Sequence, residues 1–254
     1  MGNNHKMKVI AIIPARYASQ RLVGKALIEL GSIPIFVRVW QNVSKSKLLS
    51  RAIIATDDER IAKVAEEYSV PYIMTSLEHL SGTDRIYEAY TKLDDDYDII
   101  VNVQGDEPFL MAEDLDLLIS SFDFANYSVA TFVSKINTES DLFNPNCVKV
   151  ARSKNGNALY FSRSTIPYYR DLEQNQWLNG NDYWKHIGVY AYTLSALKAF
   201  VALEQSNLEK VEKLEQLRLL ENGYKFQCVE LDKELIGIDT AEDLAKAEER
   251  LGRL

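Results

Sequence analysis

Three cations crowd one short stretch, Pro14-Ala15-Arg16-Tyr17-Ala18-Ser19-Gln20-Arg21-Leu22-Val23-Gly24-Lys25, directly after the apolar run Val9 to Ile13. Arg16, Arg21 and Lys25 could neutralise charge growing on a departing phosphate, while backbone N–H groups at small residues such as Ala15 cradle its oxygens. A solvated basic loop is the plainer alternative, and the G-x-x-x-x-G-K-[ST] spacing of a Walker loop is absent. A second group, Asn102-Val103-Gln104-Gly105-Asp106-Glu107-Pro108, follows another apolar run. Asp106 there is either part of an acidic turn or a ligand for a hard cation such as magnesium. Ile236-Gly237-Ile238-Asp239-Thr240 places a further carboxylate just before a helix start, where capping is the ordinary use. Asp106 and Asp239 are more than half the chain apart, so only a folded sheet can bring them together.

Other polar residues are ambiguous one at a time. Ser81-Gly82-Thr83-Asp84-Arg85 opens a helix, with hydroxyls and amides that either cap it or hold a ligand. Arg163, His186, Tyr190, Glu215 and Gln216 are scattered, and each alone is as well explained by structure: His186 as a satisfied core histidine, Glu215 and Gln216 as a solvated helix face. Asp94-Asp95-Asp96 imitates the metal triplet of some glycosyltransferases, but it precedes a strand and so belongs to the wrong sheet edge.

The elements that must carry these residues are legible as periodicities. Val9 to Ile13 is continuously apolar, as expected of a strand covered on both faces, and Ala52 to Ala55, Pro71 to Met74 and Asp98 to Val103 read the same way. Between them Ile61, Val64, Ala65 and Tyr68, and later Ile86, Tyr90 and Leu93, recur at helical spacing. Alternation of strand and helix from residue 8 to about 121 predicts an α/β fold, a doubly wound, mostly parallel sheet flanked by helices, with ligands at the carboxyl ends of strands. After residue 125 the texture becomes strand-rich: Ser128 to Ile136, Cys147 to Ala151, Ala158 to Ser162 and His186 to Thr193. This predicts a mixed lobe inserted in the second half. Helices follow over Leu194 to Leu203 and Leu208 to Glu221, the latter ended by Asn222-Gly223, then a strand over Tyr224 to Leu231. A last helix is capped by Thr240 and Asp243 and stops near Gly252. The chain reads as one domain over 1–254, with halves 8–125 and 126–254 and no long linker.

Composition limits what such a fold could serve. The 254 residues are 46% hydrophobic and 26% charged, ordinary for a compact enzyme-sized chain. A net charge of −8 argues against nucleic acid or anionic membranes as partners, leaving room for a small anion in a local basic site. No apolar run approaches the ~20 residues that cross a bilayer, and the apolar stretch after Lys8 is short for a signal peptide. Cys147 and Cys228 have no metal-like spacing and read as reduced thiols, so a cytoplasmic location is expected.

Taken together, the segments resemble the 3-deoxy-manno-octulosonate cytidylyltransferases, the CMP-Kdo synthetases of lipopolysaccharide assembly. The likeness runs from about Lys8 to Leu251. It is carried by Ile-Pro-Ala-Arg-Tyr-Ala-Ser (13–19), Arg-Leu-x-Gly-Lys (21–25), Ala-Thr-Asp-Asp (55–58), Met-Thr-Ser (74–76), Ser-Gly-Thr-Asp-Arg (81–85) and Val-Gln-Gly-Asp-Glu-Pro (103–108). Ala-Leu-Tyr-Phe-Ser-Arg-Ser (158–164), Lys-His-Ile-Gly-Val-Tyr-Ala-Tyr (185–192), Leu-Glu-Gln-Leu-Arg (214–218) and Gly-Ile-Asp-Thr (237–240) complete it.

The resemblance implies transfer of CMP from CTP to the anomeric hydroxyl of Kdo, releasing pyrophosphate, with Mg2+ and without a covalent intermediate, in a homodimer. It gives Arg16, Arg21 and Lys25 the triphosphate and Asp106 with Asp239 the magnesium, with Arg16, Lys25, Asp106 and Asp239 the catalytic set. Ala15, Ala55, Asp57, Thr75, Ser81, Gly82 and Thr83 would line the nucleotide pocket. Gln104, Arg163, His186, Tyr190, Glu215 and Gln216 would meet the sugar acid, Arg163 facing its carboxylate. Three positions depart from the family, which usually has proline where Val23, Ala26 and Ala241 stand. These changes remove loop stiffeners, not charges. The competing readings are the same transfer to 8-amino-Kdo or a nonulosonic acid, a metal-dependent glycosyltransferase using Asp94 to Asp96, and a nucleotide sensor without turnover.

Overall fold

The structure, a computed structural model, describes residues 7–18, 22–79 and 81–252. The chain forms two compact units, one of residues up to 120 with those from 235 onward, the other of residues 121–234.

The first unit begins with β1 (Val9–Ala15), the short strands β2 (Glu29–Leu30) and β3 (Ile33–Pro34), and α1 (Ile35–Val43). It continues through β4 (Arg51–Thr56), α2 (Glu59–Glu67), β5 (Tyr72–Met74), α3 (Gly82–Thr91), β6 (Ile99–Asn102) and α4 (Ala112–Ser121). The strands β6, β1, β4 and β5 pair in parallel in that order. From β1 the chain therefore steps outward to β4 and β5, then returns to the far side of β1 to lay down β6. The order reverses between β1 and β6, and the loops leaving their carboxyl ends part there, opening the crevice in which such sheets bind ligands.

The sequence accounts for this arrangement. Val9 to Ile13 have no more than 1% of their surface exposed, so β1 is covered on both faces as its unbroken apolar run requires. Phe36, Val37 and Val39 of α1 and Ile86 and Ala89 of α3 are equally buried. Asp58 caps α2 by accepting from the Arg60 N–H at 2.9 Å, and Ser81 caps α3 by accepting from the Asp84 N–H at 3.0 Å. At the opposite edge, Lys8 donates its N–H to Asp98 at 2.8 Å and its Nζ lies 3.4 Å from Asp95. The acidic run 94–96 thus sits by the amino end of β1, on the side expected from sequence.

The second unit comprises β7 (Val129–Lys135), α5 (Glu139–Phe143), β8 (Lys149–Arg152), β9 (Ala158–Ser162) and α6 (Trp177–Gly180). These are followed by β10 (Trp184–Thr193), α7 (Leu194–Ala202), α8 (Asn207–Glu212), α9 (Gln216–Glu221) and β11 (Phe226–Glu230). Its sheet is mixed: β7 pairs antiparallel with β10 and parallel with β11, while β8 pairs antiparallel with both β10 and β9. The β7–β10 register shifts between Ile187 and Tyr190, and Thr131 fills the irregularity. Its hydroxyl donates to the Val189 carbonyl at 2.8 Å and lies 3.0 Å from His186 Nε2. A hydroxyl with its single proton so engaged accepts from the imidazole N–H.

Two boundaries differ from the sequence reading. The helix predicted over Leu208 to Glu221 is broken, because Lys213 adopts a left-handed conformation (φ 55°) that ends α8 before α9 begins. Carbonyls freed by the break are taken up by Arg163, whose Nε lies 2.7 Å from the Glu212 oxygen and whose Nη2 lies 3.3 Å from that of Lys213. The buried pair Glu209–Arg218, at 2.7 and 2.8 Å, fastens α9 to α8 across the corner. The other difference is at the end of the chain. Residues from 235 lie in the first unit, not with the half that follows 125. The Ile238 N–H donates to the Asp106 carbonyl at 2.9 Å, and α10 (Ala241–Leu251) starts from a capping box between Thr240 and Asp243.

Thr131→Val keeps the side chain's shape but strands the Val189 carbonyl and the His186 N–H. Denaturant unfolding should show a loss of about 1–3 kcal/mol, and unchanged stability would mean that the irregular strand pairing does not need the hydroxyl.

Candidate active site

A cleft of about 540 Å³ opens at the carboxyl ends of β1 and β6 in the first unit. Each wall is delivered by a local constraint. Lys25 follows a tight turn in which its N–H donates to the Leu22 carbonyl at 3.1 Å while Gly24 has φ 69° and ψ 17°. These angles belong to the third residue of a type II turn, a position that favours glycine. The Gly24 N–H donates in turn to the Tyr17 carbonyl at 3.0 Å, closing the loop. Opposite, a Cβ at Gly105 would stand 2.8 Å from the Pro14 carbonyl oxygen, so only glycine lets the loop after β6 cross the end of β1. Asp106 is the next residue.

Lys25 Nζ sits between two carboxylates, in contact with Asp106 Oδ2 and 2.9 Å from Asp239 Oδ1. Burial works against its charge, but Asp106 first and Asp239 second outweigh it and hold its pKa above the ordinary lysine value. The acids separated by more than half the chain are therefore brought to one cation. Two converging carboxylates, with no third acid, histidine or cysteine completing a cage among the described residues, match a hard ion that keeps water and substrate phosphates as its other ligands. Magnesium fits this donor set.

Ala15, Arg16 and Gln104 line the same cleft, as do Ser81 and Gly82 at the start of α3. Other residues predicted for a nucleotide pocket lie behind the wall. Ala55 and Thr83 are fully buried, and Thr75 is buried with its hydroxyl donating to the Thr56 carbonyl at 3.1 Å. Asp57 pairs with Arg85, which also donates to Thr75 Oγ1 at 2.6 Å. Arg85, only 3% exposed, thus ties the ends of β4 and β5 to α3 while lining the cleft. Arg21 lies outside the described residues.

Sequence reasoning missed Arg85, Glu107, Gly237 and His79 as lining residues. Arg85, Glu107 and Gly237 lie within segments already singled out, and His79 stands two residues before the cap of α3.

Arg163, His186, Tyr190, Glu215 and Gln216 belong to the second unit. Arg163 is extensively engaged with backbone, its Nη1 donating to the Pro145 carbonyl at 3.0 Å in addition to the bonds at the α8–α9 corner. His186 packs edge-on to Phe161 with ring centroids 5.0 Å apart and lies 5.3 Å from the Tyr190 ring. Removal from water pushes the His186 pKa down to about 3, so the ring is neutral. The same effect, with Tyr192 and Glu215 nearby, raises the Tyr190 phenol well above its usual range. Gln216 is buried at the start of α9, and its Nε2 has no hydrogen-bond partner among the described residues.

Comparison with known proteins decides the family. A cytidylyltransferase family model matches residues 10–231. A Parabacteroides distasonis protein named 3-deoxy-manno-octulosonate cytidylyltransferase is 48% identical over 95% of this chain and 97% of its own. The chain belongs to the 3-deoxy-manno-octulosonate cytidylyltransferase family. A member from Phocaeicola vulgatus is 49% identical over 95% of this chain and 96% of its own. A solved structure of CMP:2-keto-3-deoxy-manno-octonic acid synthetase complexed with CTP superposes with a TM-score of 0.89, at 34% identity, covering 97% of this chain and 99% of that one. For a cytidylyltransferase, a cleft that joins Arg16 and Lys25 to two acids at the strand-order reversal is the expected machinery for a nucleotide triphosphate.

Two measurements follow from this geometry. Val23 occupies the second position of the type II turn that presents Lys25, where proline's fixed φ is favoured, so Val23→Pro should raise stability by about 0.4–1 kcal/mol without loss of turnover. Because His186 is neutral in the fold and titrates near 6.5 when exposed, the unfolded chain takes up a proton that the folded chain refuses. Stability should therefore fall as pH drops from about 6.5 toward 3, and His186→Gln should flatten that part of the denaturation profile.

Proposed function

We propose that this cytidylyltransferase transfers CMP from CTP to the anomeric hydroxyl of Kdo, releasing pyrophosphate, as a cytoplasmic homodimer that uses magnesium and binds neither membrane nor nucleic acid. The observation that carries the reading is Lys25 held between Asp106 and Asp239 at the strand-order reversal, in a chain about half identical to proteins of that name.

Magnesium at Asp106 and Asp239 would neutralise phosphate charge and help align the triphosphate. The chain's own residues do the rest by placement. Lys25, standing beside both acids, stabilises the charge that accumulates as pyrophosphate departs, and Arg16 adds a second cation in the same cleft. No cysteine lines the cleft and no nucleophile from the protein is needed, since the sugar hydroxyl attacks the α-phosphorus directly. Arg163, His186, Tyr190, Glu215 and Gln216 meet the acid sugar in this reading. The buried amide nitrogen of Gln216, without a partner among the described residues, is a donor whose desolvation a sugar oxygen would offset. Among the described residues no helix is long and apolar enough to span a bilayer, and the net charge of −8 opposes nucleic acid. A second copy would cover exposed apolar side chains of the second unit such as Leu159, Tyr168 and Val211, and sedimentation should report twice the chain mass.

The direct test is pyrophosphate release from CTP and magnesium with Kdo, 8-amino-Kdo, sialic acid or no acceptor. Release with Kdo alone is expected. Asp106→Asn and Asp239→Asn should each slow turnover about a hundredfold, some 2.7 kcal/mol of transition-state stabilisation. Asn at Asp95 and Asp96 should leave it intact, and the opposite pattern would move the metal to the other sheet edge.

A further inference from the structure

Lys25 Nζ touches both acids of the cleft, in contact with Asp106 Oδ2 and 2.9 Å from Asp239 Oδ1. The backbone beneath all three side chains is fixed. The turn at Gly24 holds Lys25, whose side chain is only 16% exposed. The Asp106 carbonyl accepts from the Ile238 N–H at 2.9 Å, which couples the two acidic segments directly. The next N–H, that of Asp239, donates to Asp243 Oδ2 at 3.2 Å, and the same oxygen takes the Thr240 N–H at 3.0 Å. What remains free to change is which side-chain atoms meet.

Asp106 and Asp239 are also the two groups that would hold magnesium. A divalent cation at these carboxylates stands close to the Lys25 ammonium, and like charges repel strongly where a partly buried cleft leaves little water between them. Lys25 already neutralises one of the two negative charges that attract a hard ion, and Mg2+ gives up its water reluctantly. Lysine and metal are therefore rivals for the same acids as long as nothing else takes up the lysine's charge. A triphosphate supplies that alternative, because its anionic oxygens accept from an ammonium. A lysine suits the exchange: its compact charge rides on a flexible four-carbon stem, so Nζ can pass from carboxylate to phosphate while the turn keeps its Cα in place.

We propose that Lys25 is a resident counter-ion that keeps the affinity of Asp106 and Asp239 for a divalent cation low until a nucleotide triphosphate draws its charge away, so that metal and nucleotide are taken up together. The inference rests on the two acids being the metal ligands. It gives Lys25 a task before the transfer step, separate from stabilising the departing pyrophosphate.

The test is Mn2+ binding without nucleotide, read from the paramagnetic resonance signal of the free ion, in wild type, Lys25→Met, Lys25→Arg and the double variant Lys25→Met/Asp239→Asn. Lys25→Met keeps the length and removes the charge, and it should bind Mn2+ about tenfold or more tightly than wild type. Lys25→Arg keeps the charge and should stay near wild type. A lysine that merely shapes the site predicts the reverse, a loosened pair of acids that binds metal less well. Equal or weaker binding in Lys25→Met overturns the proposal, as does Lys25→Arg binding as tightly as Lys25→Met. If Lys25→Met melts below the assay temperature, Mn2+ should raise its melting point by more than that of wild type, since the metal stands in for the missing cation, and no greater rise overturns the proposal equally. CTP should tighten Mn2+ binding by a larger factor in wild type than in Lys25→Met, after allowance for metal held by free nucleotide, and equal factors would remove the coupling. The double variant separates this inference from the reading beneath it. Tight binding that survives Asp239→Asn takes the metal away from that acid and overturns both, whereas binding lost with Asp239 but alike in wild type and Lys25→Met leaves the metal ligands standing and sinks the counter-ion alone.

Discussion

Two carboxyl groups cannot both stay ionised in a small, partly buried volume unless a cation stands with them, because each opposes the ionisation of the other. Lys25 meets that requirement for Asp106 and Asp239. Much of the first unit serves the meeting. The parallel order of β6, β1, β4 and β5 sets the carboxyl ends of β1 and β6 side by side. Gly105 lets the loop after β6 cross the end of β1, and the turn at Gly24 delivers Lys25. The bond from Ile238 to the Asp106 carbonyl then sets Asp239 beside both. In the proposed reaction the cation that lets both acids stay charged is also the one that meets the triphosphate, so stability and function would draw on one arrangement.

A second layer of support surrounds the cleft. Arg85 is a buried guanidinium whose donors reach Asp57 and Thr75, so it ties the ends of two strands to the first turn of α3. A buried ion pair of this kind is weak evidence for stability on its own, since desolvation offsets much of the attraction. Its value is geometric: it fixes where Ser81 and Gly82 stand. Arg163 plays a comparable part in the second unit, where its bonds to the carbonyls of Pro145, Glu212 and Lys213 hold the corner from which Glu215 and Gln216 follow.

What was legible in the sequence depended on whether a local rule decides the feature. The unbroken apolar runs of β1, β4 and β6 announced a covered parallel sheet, and Thr240 with Asp243 announced the cap of α10. The break at Lys213 was not legible, because a left-handed lysine carries no glycine or asparagine signal and is held by partners distant in the chain. The resemblance led us to expect Asp57 and Thr75 near a nucleotide, but their engagement with Arg85 was not legible, since a residue's partner is a tertiary fact. The prolines missing at Val23 and Ala241 had a readable meaning once the type II turn and the first position of α10 were seen, both places where proline pre-sets the backbone.

The return of the last segment to the first unit has a bearing on synthesis. The strands β1, β4, β5 and β6 are all made before the second unit begins, whereas Asp239 emerges after the whole of it. A nascent or prematurely terminated chain would own the sheet, Lys25 and Asp106 but lack the acid opposite them. The cluster is therefore assembled in an order that withholds its second carboxylate until the second unit has been made, and products truncated before residue 239 lack it.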